Sequence, residues 1–299
     1  MSRPSRKPAV KPRDLAAYVF LALAWGLSFL VLLKVVEAFG WAGAVSFRAF
    51  VAGATLLLAA LVMRRRLDFH FGLWPLAVVG ATTVAGQLIG LSYATPRVGT
   101  AMAAILVATI PLFSMLMGRL LGIETITRQG LLGLALGFSG LLMLVGFPAV
   151  PVTADFIAGC FGMIFSTFCA AFGSVYASLR LRSAGPWEVT TGAFLIGGAM
   201  TLPLLLVVPV PAMPGALDFL YLVIAGAGMS ALTYVLYFGL VASIGATRAI
   251  SVEFVVTVVA VLVGAVVLGE PLSTIQLAGG AVIIAGCALV LGLFKPACV

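Results

Sequence analysis

Apolar residues in this chain arrive in long runs, separated by short breaks rich in arginine, glycine and proline. The runs fall at about 15–35, 42–63, 73–94, 99–121 and 129–147, then 156–179, 187–208, 218–240, 247–268 and 275–294. Each is about 20 residues, the length at which a helix crosses the hydrocarbon core of a bilayer. The pattern predicts ten transmembrane helices and no soluble insert. Pro148 and Pro151 mark the middle of the chain, and Pro209, Pro211 and Pro214 make the longest break of the second half.

The two halves repeat one another. The stretch from Gly99 to Gly140 returns 146 residues later, from Gly245 to Gly286. Without a gap the copies share Gly99/Gly245, Gly118/Gly264, Glu124/Glu270, Gly133/Gly279 and Gly140/Gly286. Two glycine-rich helices coincide at some positions by composition alone, but a glutamate in the same break is harder to obtain that way. A repeat of this length marks a fold built from two copies of one unit. The predicted units are 15–147 and 156–294, after a basic, proline-rich tail at 1–14.

Composition sharpens the class. The chain is 63% hydrophobic and 9% charged, far from a soluble domain. Its net charge of +8 comes from residues scattered through short loops, which argues against nucleic acid. With the N-terminus inside, the inner segments hold Arg3, Arg6, Lys7, Lys11 and Arg13, Arg64–Arg66, Arg119, Arg128, Arg180, Arg182, Arg248 and Lys295. The outer loops hold only Lys34 and Arg97. Positive residues gather on the cytoplasmic side, so both termini are expected there. Five spans per half make the second copy enter from the opposite side, giving inverted repeats, an architecture associated with transport. The segment after the tail reads as a retained span and not a signal peptide. Cys160, Cys169, Cys287 and Cys298 show no metal-like spacing, and neither a metal site nor a disulfide framework is implied.

Several motifs resemble the drug/metabolite transporter superfamily in its EamA-type branch: Ala24-Trp25-Gly26, Arg48-Ala49-Phe50, Ala108-Thr109-Ile110-Pro111, Leu121-Gly122-Ile123-Glu124 and Leu268-Gly269-Glu270. Within that branch the chain is most similar to bacterial exporters of aromatic amino acids of the YddG type. The resemblance implies an all-α integral membrane protein of ten helices in two inverted five-helix repeats. It also implies a multi-pass exporter of the bacterial inner membrane, with small metabolites, amino acids foremost, as substrates. One departure is Thr257, opposite Pro111 in the repeat, which leaves open whether the ninth helix kinks as the fourth is expected to.

Ionisable groups inside a membrane are costly and mark candidate function. Glu253 falls about 12 Å from the inner end of the ninth span, and Arg48 about 10 Å from the outer end of the second. Glu253 is read as meeting a substrate amine or carrying a proton, with a structural pair or a neutral acid as the alternative. For Arg48 a structural role is favoured. Glu124 and Glu270 are read as helix caps, and His70 as a solvated loop residue. Polar and aromatic groups within the spans complete a candidate pathway of Trp25, Ser28, Gln87, Tyr93, Ser166, Thr167, Thr233, Tyr234, Tyr237 and Glu253, with Arg48, Glu124 and Glu270 as structural charges. Aromatics with polar tips suit a half-wet pocket for an amphipathic solute. The partners are then a small-molecule substrate and the bilayer, with proton coupling open. No cofactor is implied, and no Walker A loop is present, so transport is secondary or facilitated. Rival readings are an exporter of cationic drugs, nucleotide sugars or carboxylates, an intramembrane enzyme, and a non-transporting scaffold. The enzyme lacks a histidine in the spans and a partner acid for Glu253.

Overall fold

A computed structural model describes residues 12–121, 128–146, 151–244 and 249–290. Glu124 and Arg248 lie outside the described residues. Among those described the secondary structure is helical throughout, with no strand.

The first helical stretch, Pro12–Val62, is broken at Gly40 (φ 68°, ψ 165°). That conformation is open to glycine and strained for a side chain, and it divides the stretch into α1 (12–39) and α2 (41–62). Then follow α3 (Leu73–Val98), α4 (Thr100–Leu120) and α5 (Arg128–Gly146). The second half holds α6 (Ala154–Arg180), α7 (Pro186–Val207), α8 (Ala216–Ile244), α9 (Val252–Val267) and α10 (Thr274–Val290). The stretches Pro12–Val62, α3, α4, α6, α7 and α8 are each long and apolar enough to cross a membrane, and α9 is a shorter apolar helix.

Local chemistry sets the breaks. Thr153 caps α6 by accepting from Phe156 N (3.1 Å), and Pro186 opens α7, where its missing N–H is no loss. Ser273 and Gln276 form a reciprocal capping box at the start of α10. In α4 the helix is interrupted at Ala108–Thr109, and Pro111, which cannot donate to a preceding carbonyl, opens its second part. The ninth helix answers the question left by Thr257: Val252–Leu262 runs unbroken through it. The Thr257 hydroxyl lies 2.7 Å from Glu253 O and 2.9 Å from Ala104 O across the α4–α9 contact.

Packing follows the repeat. Helix α5 pairs with α10 and α4 with α9, each helix with its own counterpart. Gly140 lies on Gly279 and Ile283 while Gly286 lies on Gly133 and Gly137, so α5 and α10 run antiparallel. Thr257 beside Ala104 and Gly264 beside Thr100 show the same of α4 and α9. The remaining contacts also come in matched sets: α3 on α6 as α8 on α1, α3 on α7 as α8 on α2, and α4 on α6 as α9 on α1. Small residues let these backbones approach closely, the usual driving contact between helices in lipid.

A further feature carries over. A π-helical turn occupies Gly80–Gly86 in α3 and another Ile224–Leu232 in α8, and a shift of 146 residues nearly superimposes them. Both hand over to regular helix at matched residues, Gln87 and Thr233. A separate feature is the Glu270 cap. The sequence places this glutamate as a cap for the helix after it. Its carboxylate instead accepts from Thr100 N and Ala101 N (both 2.8 Å), the start of α4 in the other half. The geometry there is made by Gly99 (φ 86°), a backbone conformation open to glycine and strained for a side chain. Replacing Glu270 with Ala strands two inward-facing N–H groups, and a cost of about 1–3 kcal/mol is expected. A fall in the melting temperature of the detergent-solubilised protein measures it; an unchanged melting temperature would show that water replaces the cap.

Candidate functional site

One chamber lies between α1, α2, α3, α4, α6, α8 and α9. It is lined by Trp25, Ser28, Phe29, Arg48, Gln87, Leu88, Leu91, Val107, Ile110, Ser166, Thr167, Tyr234, Glu253 and Val256. Its volume is about 50 Å³, room for a few water molecules. Seven of the ten sequence-nominated pathway residues therefore meet on one wall or another: Trp25, Ser28, Gln87, Ser166, Thr167, Tyr234 and Glu253. Two more stand directly behind. Thr233 accepts a hydrogen bond from Trp25 Nε1 (2.9 Å), and the Tyr237 ring lies 5.4 Å from that of Trp25.

Tyr93 does not join them. Its ring lies beneath the Arg97 guanidinium (3.8 Å) and edge-on to Trp41 (5.8 Å), near the end of the molecule where α3 meets α4. Six residues separate it from Gln87, which turns it about 240° around the helix and away from the chamber.

Most of the polar groups that point to this site have their protons already committed. Ser28 donates to Trp25 O (2.7 Å), Ser166 to Gln87 O (2.7 Å), Thr167 to Ile164 O (2.9 Å) and Thr233 to Met229 O (2.8 Å). Tyr234 OH donates to Gln87 Oε1 (3.3 Å) and Tyr237 OH to Ser174 Oγ (3.0 Å). Hydroxyls spent this way stitch helices to themselves and to each other. What they leave to a solute are the aromatic faces of Trp25 and Tyr234, the Gln87 amide, and two charges.

The charges are arranged unexpectedly. Arg48 and Glu253 line the same chamber, yet no ion pair joins them. Arg48 Nε donates to Ser230 Oγ (2.6 Å) and Nη2 to Met229 O (3.4 Å). Both partners sit in the π-helical turn of α8, where Ser230 Oγ also donates to Ala225 O (2.9 Å). The turn presents to Arg48 a hydroxyl and a carbonyl that a regular helix would keep to itself, and such turns gather at functional sites. Glu253 is 8% exposed, and its carboxylate makes no hydrogen bond or ion pair with another described residue.

An aromatic cluster backs the chamber. Tyr234 lies 5.5 Å from Trp25 and meets Phe194 edge-on at 5.0 Å, ring centre to ring centre. At the end of the molecule where α8 meets α9, Tyr18 and Ser251 share a hydrogen bond (3.1 Å), and Ser243 donates to Asp14 (2.9 Å). At the opposite end, by contrast, α1, α3, α8 and the residue just past α9 border a hollow of about 650 Å³ lined by Leu30, Leu33, Lys34, Glu37, Pro96, Tyr221 and Leu268, among others. His70 sits in a loop against Asp68 (3.0 Å), as the sequence suggests.

The apolar lining residues Phe29, Leu88, Leu91, Val107, Ile110 and Val256 are not singled out by sequence, since one apolar position in a span looks like another. The signal available for two of them is the Ala108–Pro111 motif, which Val107 and Ile110 flank and overlap.

A scan against protein-family models matches the EamA-like transporter family twice, at residues 15–146 and 157–292. The chain belongs to the EamA-like transporter family. It is a membrane transporter, not an enzyme. The chain is 30% identical over 289 residues to the uncharacterised inner membrane transporter YedA of Escherichia coli strain K12, covering 92% of this chain and 89% of that protein. It is 28% identical over 277 residues to the protein PecM of Dickeya dadantii strain 3937, covering 90% and 89%. A solved crystal structure of a protein at 18% identity superposes with a TM-score of 0.69 over 95% of this chain and all of that one, a likeness of fold.

Proposed function

We propose that this EamA-family protein exports small zwitterionic metabolites, amino acids foremost, across the bacterial inner membrane. In this reading ten spans form two inverted repeats, 15–147 and 156–294, with both termini in the cytoplasm. The chamber between them opens alternately to each side. One observation carries the substrate class: a carboxylate without a partner among the described residues, Glu253, and a guanidinium held by other partners, Arg48, border the same small cavity. Opposite buried charges left apart are costly. They are explained if a solute bearing both signs completes them, its ammonium at Glu253 and its carboxylate at Arg48. The faces of Trp25 and Tyr234 add a surface for the ammonium or an apolar side chain. Proton coupling would run through the same carboxylate. The outward direction rests on the family resemblance.

Counterflow in proteoliposomes tests the proposal. Neutral amino acids are expected to exchange. Their methyl esters, which lack the carboxylate, and their N-acetyl forms, which lack the amine, are expected to fall at least tenfold. Equal exchange of the esters would transfer the reading to organic cations, and equal exchange of the N-acetyl forms to carboxylates; either result overturns the zwitterion.

A further inference from the structure

Three consecutive arginines, Arg64–Arg66, follow α2 at the end of the molecule away from Gly99. Arg64 is the one described non-glycine residue with positive φ (51°). Its N–H reaches Leu61 O (3.1 Å) and that of Arg65 reaches Ala60 O (2.8 Å), so the turn closes a helix where glycine is the ordinary choice. An arginine held there at a backbone cost of about 1–2 kcal/mol points to a use for its side chain.

Arg65 turns back onto α7. Its guanidinium lies 5.3 Å over the Trp187 ring and 3.8 Å from Glu188. This contact brings the α2–α3 loop beside the short 181–185 connection, which carries Arg182 and follows Arg180 at the end of α6. Of the nearby acids, Glu188 pairs with Arg65, and Asp68 accepts from the His70 N–H and lies against its ring. Arg64, Arg66, Arg180 and Arg182 are exposed and have no carboxylate partner among the described residues. Immediately beside them, Val62 (83%), Leu73 (70%) and Trp74 (75%) face outward, an apolar surface of the kind that lipid covers in a membrane-spanning protein.

We infer that this patch binds an anionic phospholipid, its phosphate among the arginines and its acyl chains along Val62, Leu73 and Trp74. Basic clusters at the edge of the hydrocarbon layer have this affinity, at about 1 kcal/mol for each basic residue. The inference is independent of which solute the chamber takes.

The test uses the full-length protein, stripped of lipid in detergent, with native mass spectrometry and melting curves. Cardiolipin and phosphatidylglycerol are expected to bind and raise the melting temperature, and phosphatidylethanolamine and inorganic phosphate are not. Arg64→Gln with Arg66→Gln should weaken cardiolipin binding about fivefold for each arginine removed, and Lys34→Gln, at the other end, should leave it unchanged. Arg64→Gly separates lipid binding from folding. It should raise the melting temperature of the lipid-free protein by relieving the turn, and still bind cardiolipin more weakly. Equal stabilisation by phosphatidylethanolamine, an equal effect of free phosphate, or undiminished cardiolipin binding by the double variant would overturn the inference.

Discussion

Glu253→Gln should lose transport and keep its fold. A desolvated charged contact to a solute is worth about 2 kcal/mol at the low end, so counterflow of a neutral amino acid is expected to drop roughly 30-fold or more. Its melting temperature should hold or rise, because the native carboxylate has no partner among the described residues and its removal relieves a burial cost. This combination sets Glu253 apart from a structural acid, whose loss would lower stability along with activity. Wild-type counterflow in the variant would remove Glu253 from the pathway. A falling melting temperature together with intact transport would make it a packing residue.

Gly90→Val should do the reverse, damaging the fold before the chemistry. A Cβ at Gly90 would collide with Gly162 O and lie 2.7 Å from Ser166 Cβ, rigid backbone and a residue already bonded to Gln87. Helices α3 and α6 must then separate, with a destabilisation on the order of 2–4 kcal/mol and a chamber that loses its Gln87–Ser166 wall. Gly228→Ala is the matched control. Nothing lies within 4 Å of its Cβ position, and the same assay should show no loss. Similar melting temperatures for Gly90→Val and wild type would mean that the close approach of the two helices is not required.

The helices were largely legible because a run of apolar residues reports its own length. Observed bounds such as Leu73–Val98 and Pro186–Val207 fall within a few residues of the expected spans, and the broken start of α9 at Ser251 is the main divergence. The repeat was legible through Gly99/Gly245 and Glu124/Glu270, because a duplicated break keeps its special residues. The chamber was legible in part: polar residues in apolar helices gather where lipid is absent, which found Trp25, Gln87, Tyr234 and Glu253. Four things were not. The π-helical turns use the same residue types as ordinary helix. Whether Thr233 or Ser28 serves a solute or its own backbone depends on where a neighbouring helix places the acceptor. Tyr93 was misplaced because membership of a span says nothing about which way a side chain faces six residues on. Glu270 was read by adjacency, and its target is distant in sequence.

That distance bears on biogenesis. The two amides at the start of α4 are separated from their acceptor by 170 and 169 residues of chain. During synthesis they emerge long before Glu270 does, and in the meantime they must be served by water or by the insertion machinery. The leading half can thus enter the bilayer while the start of α4 stays provisional. Maturation of the leading half is completed only by the arrival of the trailing one, so a nascent chain stalled before Glu270 should carry α4 with a frayed and readily exchanging first turn.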